Sequence, residues 1–154
     1  MLEGIDPAIS PELLKVLCEM GHGDEIMFAD AHYPANGKNK RVIRADGVDN
    51  KTLLAAIAPL FPLDQYEQAV TMSNPIKNDK LDPAVEKCVR EALHYKGKIT
   101  RVSLNALYRH STSVYAIVQT GETAQYANII LRKGVVNLEK VRYRPGKKGK
   151  SRKS

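Results

Sequence analysis

The stretch EMGHGDEIMFADAHYPANG, at residues 19–37, predicts a buried strand with a sharp turn before it and a loop after it. Residues 26–29 form an unbroken apolar run, which is typical of a strand that is buried on both faces. Gly21 and Gly23 flank His22, and because neither glycine carries a side chain, the chain can turn sharply and leave the imidazole exposed. The loop begins at Asp30. The predicted strand therefore carries a titratable group at each end.

Helix and strand patterns alternate outward from this strand. Ser10, Asn50 and Asp82 are predicted N-caps of three helices, and each precedes apolar residues at helical spacing. Further strands are predicted at residues 41–45, 66–72, 99–104, 114–120 and 128–134, with a helical turn at 105–111. This alternation predicts a single α/β or α+β domain, with a central sheet of about five or six strands covered by helices.

The formal net charge of +7 is concentrated at the C-terminal end of the 154-residue chain. Residues 144–154, RPGKKGKSRKS, contain six Lys or Arg and no acid, which leaves 18 basic against 17 acidic residues in positions 1–143. Because a Gly/Ser/Lys segment cannot bury apolar surface, we expect a domain at 1–143 followed by a basic, disordered tail. We expect no nucleic-acid partner for the near-neutral domain, while the basic tail leaves an anionic partner as the alternative.

The cysteines and the N-terminal residues favour a cytoplasmic protein without disulfides. Cys18 and Cys88 fall in predicted helices, where we expect small buried thiols and no metal site. No apolar run approaches the roughly 20 residues that cross a bilayer. Residues 1–10 lack the basic-then-apolar order of a signal peptide, so a cytoplasmic location is expected.

The two ends of the predicted strand carry groups suited to proton transfer. An imidazole titrates near neutral pH, which makes His22 a natural proton shuttle, and Asp30 lies where functional groups usually occur in α/β folds. The alternative is that His22 is a polar turn residue and Asp30 a loop cap. A shared metal ion is not expected, because an extended chain from residue 24 to residue 30 covers roughly 20 Å at about 3.3 Å per residue.

A second polar cluster lies near the end of the domain, in TGETAQYANIILRKG at 120–134. Tyr126 and Asn128 are two residues apart at the start of a predicted strand, so both are expected to face the same side. A phenol beside an amide can form hydrogen bonds with a polyol. The alternative is a capped strand start with the Tyr126 ring packed on the core.

Four blocks of this chain resemble the L-fucose mutarotase and D-ribose pyranase family. They are SPELLKVLCEMGHGDEIMFADAHYPA at 10–35, RVIRADG at 41–47, PLFPLDQY at 59–66 and TGETAQYANIILRKG at 120–134. The resemblance runs from about residue 2 to 136, and DAHYPA and RADG are closer to the fucose branch. It implies an aldose mutarotase, an isomerase that interconverts the α and β anomers of a free monosaccharide, L-fucose above all, without cofactor or metal.

The resemblance also implies roles for individual residues and an assembly. His22 corresponds to the family's proton donor, and the phenol of Tyr126 or a water molecule would complete the acid–base chemistry. The residues expected to bind the sugar are Asp30, Asp64, Met72, Tyr108 and Asn128. Family members are homo-decamers built from two pentameric rings.

One position departs from the family pattern. Four residues before the tyrosine that corresponds to Tyr108, the family has an arginine or a histidine, whereas this chain has Leu104. A cationic sugar contact is therefore missing or is supplied by another residue, with Asn105, Arg109 and His110 as candidates. This departure leaves the identity of the sugar open.

Two further questions remain open from the sequence. The protein could be a non-catalytic sugar-binding or transport-accessory protein, which would share the pocket without needing His22. In addition, a monosaccharide is only about 6–7 Å across, much less than the roughly 20 Å spanned by the strand between His22 and Asp30 at about 3.3 Å per residue. We therefore expect a site shared between subunits, unless the Gly-His-Gly turn folds back along the strand.

Overall fold

Helices and strands alternate along residues 1–141, the part of the chain that the computed structural model describes. In chain order the elements are α1 (Pro11–Glu19), β1 (Glu25–Ala29), α2 (Ala35–Lys38), β2 (Val42–Ala45), α3 (Asn50–Ile57), β3 (Val70–Ser73), α4 (Pro83–Leu93), β4 (Ile99–Val102), α5 (Leu104–Ser111), β5 (Ala116–Thr120) and β6 (Ile129–Arg132). The six strands form one mixed sheet in the order β2-β5-β1-β6-β3-β4. The predicted α/β class and strand number are confirmed.

Strand β1 lies inside the sheet, parallel to β5 on one side and antiparallel to β6 on the other. Phe28 packs in the larger apolar cluster, while Met27 packs in a second, smaller cluster. Because successive side chains of a strand point to opposite faces, these two clusters cover the two faces of the sheet. All four residues of the apolar run 26–29 are completely buried, which confirms the prediction of a strand buried on both faces.

The starts of the helices follow the expected capping chemistry, with one correction. Ser10 and Asp82 cap α1 and α4 as predicted, but Asp49, not Asn50, caps α3 by accepting the Thr52 N–H. Asn50 is the first residue of α3, and its buried side chain donates to the Ala127 carbonyl oxygen. The two adjacent residues are both good caps, so the tertiary hydrogen bonds of Asn50 decide between them.

All the predicted strands after β1 are shorter in the structure than in the sequence pattern, and β3 and β4 are instructive. Strand β3 begins at Val70, four residues later than predicted, and β4 ends at Val102. The early end of β4 has a clear cause, because the Ser103 hydroxyl accepts the Ala106 N–H and caps α5. Leu104 is therefore the first residue of a helix and not the last residue of a strand.

The cysteines lie in helices as predicted, but the prediction that both are buried is wrong. Cys18 is exposed and Cys88 is only half-buried. In α1, the buried positions are taken by Leu13, Val16 and Leu17, so the next residue points away from the core at helical spacing.

No helix among residues 1–141 is long and apolar enough to cross a membrane. The predicted basic tail at 144–154 lies outside the described residues, and so does the predicted domain boundary at 143.

Candidate active site

Strand β1 separates the predicted site residues into two groups. One group surrounds the turn at residues 21–24, before the strand, and we call it the His22 turn. The other group surrounds the cavity at the end of the strand, which we call the Asp30 cavity. Because β1 runs between them, the two groups lie beyond opposite ends of this strand.

The Asp30 cavity has a volume of about 240 Å³, which is large enough for one monosaccharide. It is lined by Asp30, His32, Tyr33, Leu104, Tyr108, Thr123, Ala124, Gln125, Tyr126 and Asn128. The structure therefore brings together four of the predicted site residues, namely Asp30, Tyr108, Tyr126 and Asn128. They come from three separate parts of the chain.

A reciprocal pair of hydrogen bonds fixes the polar side of the Asp30 cavity. The Asp30 backbone N–H donates to Asn128 Oδ1 at 2.8 Å, and Asn128 Nδ2 donates to Asp30 Oδ2 at 3.1 Å. The His32 backbone N–H donates to the other carboxylate oxygen at 2.9 Å. These contacts orient the Asp30 carboxylate and leave lone pairs on both oxygens for ligand hydroxyls.

Tyr126 reaches the cavity by a different route from the predicted one. Strand β6 begins only at Ile129, and Tyr126 has a left-handed backbone with φ of 56°. The phenol donates to Asp79 Oδ2 at 2.6 Å, a hydrogen bond that raises the pKa of Tyr126 and lowers the pKa of Asp79. Tyr126 and Asn128 thus line one cavity because of this turn, and the strand alternation argued from the sequence is not the cause.

The apolar side of the Asp30 cavity is a pair of stacked tyrosines. The rings of Tyr33 and Tyr108 lie 5.2 Å apart between centroids, at an interplanar angle of 11°. The Tyr33 hydroxyl donates to Ser111 Oγ, and burial raises the pKa of Tyr33. Lys38 Nζ lies 5.3 Å from the centroid of the Tyr108 ring. These contacts hold the ring of Tyr108 in place beside the carboxylate and the amide.

Backbone hydrogen bonds from the end of β6 build the His22 turn. Gly23 has φ of +86° and donates its N–H to the Lys133 carbonyl oxygen at 2.8 Å. Lys133 is buried, and its Nζ donates to the carbonyl oxygens of Leu17 and Met20 at 2.7 Å and 2.6 Å, at the C-terminal end of α1. The turn is therefore fixed between helix and sheet, while the His22 side chain is 48% exposed, as the flanking glycines predicted.

Asp64 orients the His22 ring. His22 Nε2 lies 3.3 Å from Asp64 Oδ1, and the Asp64 side chain is only 1% exposed. The Tyr66 backbone N–H, together with His22 and Arg132, holds the pKa of Asp64 below its ordinary value, so the group is a carboxylate at neutral pH. A carboxylate can only accept, so Nε2 carries the proton in this contact.

The position of Asp64 changes its predicted role. Its Oδ1 accepts from Tyr66 N–H at 2.9 Å as well as from His22, and its Oδ2 accepts from Arg132 Nε at 3.0 Å. Because the Asp64 side chain is only 1% exposed, its oxygens are in reach of His22 and Arg132 but present no accessible surface to a sugar. The contact joins residues 42 positions apart, which no local sequence pattern could indicate.

The structure corrects one predicted sugar contact. It also places the three candidate replacements for the family's cation outside the Asp30 cavity. Met72 is completely buried in the core, because all four residues of β3 are buried, so its side chain has no surface for a ligand. Leu104 lines the Asp30 cavity, but Asn105 and Arg109 are exposed outside it. His110 Nε2 lies 3.0 Å from Glu25 Oε1, at the end of β1 that is remote from the Asp30 cavity. None of the three candidates replaces the cation that the family has at Leu104.

Sequence reasoning also missed several residues of the two sites. These are Tyr33, Asp79 and Arg132, each of which holds a predicted site residue in place. Each contact depends on long-range packing, so only their polar or aromatic character was visible in the sequence. Within residues 1–141, no group of three or more His, Cys, Asp or Glu side chains is arranged to hold a metal ion.

The fold and the two sites define a small α/β protein with a polyol-sized cavity, polar on one side, and a carboxylate-oriented histidine. Residues 3–136 match the model of the RbsD / FucU transport protein family, and the chain belongs to this family. The resemblance found in the sequence is thereby confirmed.

Similar proteins with solved structures or curated names agree with this assignment. An L-fucose mutarotase from Histophilus somni (strain 129Pt) is 49% identical over 144 residues, covering 90% of this chain and all of that protein. The fucose mutarotase from Streptococcus pneumoniae, solved in complex with L-fucose, is 44% identical with a TM-score of 0.83, over 88% of this chain and all of the other. FucU from Bifidobacterium longum is 38% identical with a TM-score of 0.80 over the same shares.

Proposed function

We propose that this protein is an L-fucose mutarotase, an isomerase that interconverts the α and β anomers of the free sugar. The observation that carries the proposal is the similarity to L-fucose mutarotases along their entire length, at 49% identity for one and 44% for another that binds L-fucose. The Asp30 cavity supports it, because its volume and its carboxylate–amide pair suit a single monosaccharide.

Mutarotation needs only proton transfer, which the two sites supply. Ring opening breaks the bond between C1 and the ring oxygen, and a proton must reach that oxygen while another leaves the anomeric hydroxyl. Protonated His22 donates the first proton, and Tyr126 or a water molecule accepts the second. Tyr126 can pass its own proton to Asp79, 2.6 Å away, as it accepts one from the sugar. Such acid–base help is typically worth about 10²–10⁴-fold in rate.

Rotation about the C1–C2 bond and reclosure by the reverse transfers give the other anomer. During these steps, the Asp30 carboxylate and the Asn128 amide bind the remaining hydroxyls, while the ring of Tyr108 packs on the C–H face of the sugar. The open-chain sugar stays bound, so the protein needs no covalent intermediate.

The site is shared between two copies of the chain. The His22 turn and the Asp30 cavity lie at opposite ends of β1, so the sugar in one copy's cavity meets the His22 turn of a neighbouring copy. Exposed apolar side chains in a groove beside Asp64 support this arrangement, because Tyr66, Val135 and Val136 are 80%, 63% and 44% exposed there. The assembly is a decamer of two pentameric rings, as the family resemblance implies, and it acts in the cytoplasm.

Exchange spectroscopy tests the function directly. The α and β anomers of L-fucose give separate anomeric NMR signals, and the protein should transfer magnetisation between them well above the uncatalysed rate. Saturation-difference NMR across a panel of free aldoses then ranks the sugars that bind. Binding of L-fucose without faster exchange would instead identify a non-catalytic sugar-binding or transport-accessory protein.

A further inference from the structure

We propose that Arg132 is a positioning residue that sets the acid–base behaviour of His22 through the Asp64 carboxylate. The proposal rests on the proposed role of His22 as proton donor. Arg132 touches no candidate sugar group, and it ends β6, directly opposite Glu25 at the start of β1. Its effect on catalysis must therefore pass through the residues that it contacts.

The guanidinium of Arg132 is fixed by three carboxylates. Its Nε donates to Asp64 Oδ2 at 3.0 Å. Its Nη2 lies 3.4 Å from Glu67 Oε2, and its Nη1 lies 3.9 Å from Glu25 Oε1. The Asp64 contact is the strongest, because that side chain is 1% exposed whereas Glu67 is 67% exposed. Arg132 thus shares the one carboxylate that orients the His22 ring.

The His22 turn is shaped to admit this guanidinium. A Cβ added at Gly23 would lie 3.2 Å from Arg132 Nη2, and the φ of +86° at Gly23 is unfavourable for any other residue. The glycine after His22 therefore has a second use besides exposing the imidazole. It lets a positive charge approach the turn from the sheet.

Two positive charges lie near the turn, Arg132 and Lys133, whose Nζ donates to the Leu17 and Met20 carbonyl oxygens just before it, and the other charges are negative. Those that face the turn or the guanidinium are Asp24, Glu25, Asp64 and Glu67, together with the phenol of Tyr66, whose ring lies 5.8 Å from the His22 ring. His110 pairs with Glu25 on the far side of Arg132. Without Arg132, the whole charge of Asp64 would act on His22 and stabilise the protonated ring. Arg132 competes for that charge through its Nε contact with Asp64 Oδ2 at 3.0 Å.

The test compares Arg132→Gln and Arg132→Met, which remove the charge, with Arg132→Lys, which keeps it. The measured quantity is the pH at which the His22 ring is half protonated, followed through its C–H signals by NMR. We expect this midpoint to rise by about 0.5–1 pH unit in the Gln and Met variants, since one unit corresponds to about 1.4 kcal/mol. The Lys variant should stay within about 0.2 unit. The exchange rate of L-fucose should show the same upward displacement of its pH profile.

A matched control is Arg44→Gln, which removes the same charge from an exposed pair with Asp46 near the end of β2. It should leave the His22 midpoint unchanged. Equal midpoints in the wild type and a folded Gln variant would overturn the proposal. So would equal shifts in the Gln and Lys variants, because packing and not charge would then be the cause.

Two further variants keep the proposal testable if Arg132→Gln does not fold. Glu25→Gln and Glu67→Gln remove carboxylates that share the guanidinium, which leaves more of its charge for Asp64. We expect the His22 midpoint to fall in both, and a rise or no change would contradict the proposal. The ring titration is read without any sugar, so it remains decisive even if the protein does not catalyse anomer exchange.

Discussion

The two ends of β1 differ in both chemistry and enclosure. At the His22 turn, an imidazole that is about half exposed is held by a buried carboxylate, and charged groups surround the pair. At the Asp30 cavity, hydrogen-bonded polar groups and stacked tyrosines enclose a volume of about 240 Å³. The first end has what proton transfer needs and little to hold a sugar. The second end has the groups that can hold a sugar, together with the phenol of Tyr126.

This difference explains why one strand carries functional groups at both ends. A binding pocket works best when its groups are rigid and already oriented, as Asp30 and Asn128 are. A proton donor must be accessible to its substrate, and the His22 side chain is 48% exposed. If neighbouring copies join the two ends, each end keeps the environment that its own chemistry requires.

Replacing His22 should have the largest effect. It should impair proton transfer at the His22 turn and leave sugar binding at the Asp30 cavity unchanged. His22→Gln keeps a side chain that can donate to Asp64, but it removes the titrating ring. We expect anomer exchange of L-fucose to slow by at least about tenfold, within the usual range for acid–base catalysis. Sugar binding by saturation-difference NMR and the circular dichroism spectrum should be unchanged. A folded variant that exchanges anomers at the wild-type rate would rule out His22 as the donor.

Replacing Asn128 should affect binding instead of proton transfer. Asn128→Ala removes one sugar contact and the reciprocal bonds with Asp30, and one hydrogen bond is worth about 1 kcal/mol, or about fivefold in affinity. We expect KM for L-fucose to rise by about that factor or more, with a smaller change in kcat. The matched control is Asn105→Ala, an exposed position outside the cavity, which should leave both constants unchanged. A loss confined to kcat would place Asn128 in the chemical step.

The ion pair behind the His22 turn should have the smallest effect, and it should be visible in stability. The hydrogen bond to Glu25 raises the pKa of His110. A group whose folded pKa is raised contributes its stability fully below its unfolded value, near pH 6.5, and loses it as pH rises through the folded value. His110→Gln should therefore lower the free energy of unfolding by under about 1 kcal/mol. The thermal midpoint should fall most near pH 6 and least near pH 9. A difference that grows with pH would contradict this assignment.

The sequence predicted local features well and long-range contacts poorly. Strand β1 was visible because residues 26–29 are apolar without interruption, and the His22 turn because glycines flank a histidine. The pairing of His22 with Asp64 was not visible, because it depends on how the segment after α3 packs beside the end of β6. Tyr126 illustrates the same limit, since it reaches the expected cavity through a left-handed turn. Met72 was assigned by position in a family pattern, and burial of β3 removed it from the site.

The central claim is that one sugar uses the His22 turn of one copy and the Asp30 cavity of another. The most direct test mixes two inactive variants, His22→Ala and Asp30→Ala, unfolds them together and lets them refold and assemble. With equal amounts and random assembly, about a quarter of shared sites would regain an intact partner from each copy, and anomer exchange should recover to about that fraction of the wild-type rate. If the site is built within a single chain, every site carries one of the two lesions. Mixing would then restore no activity, and the claim would be wrong.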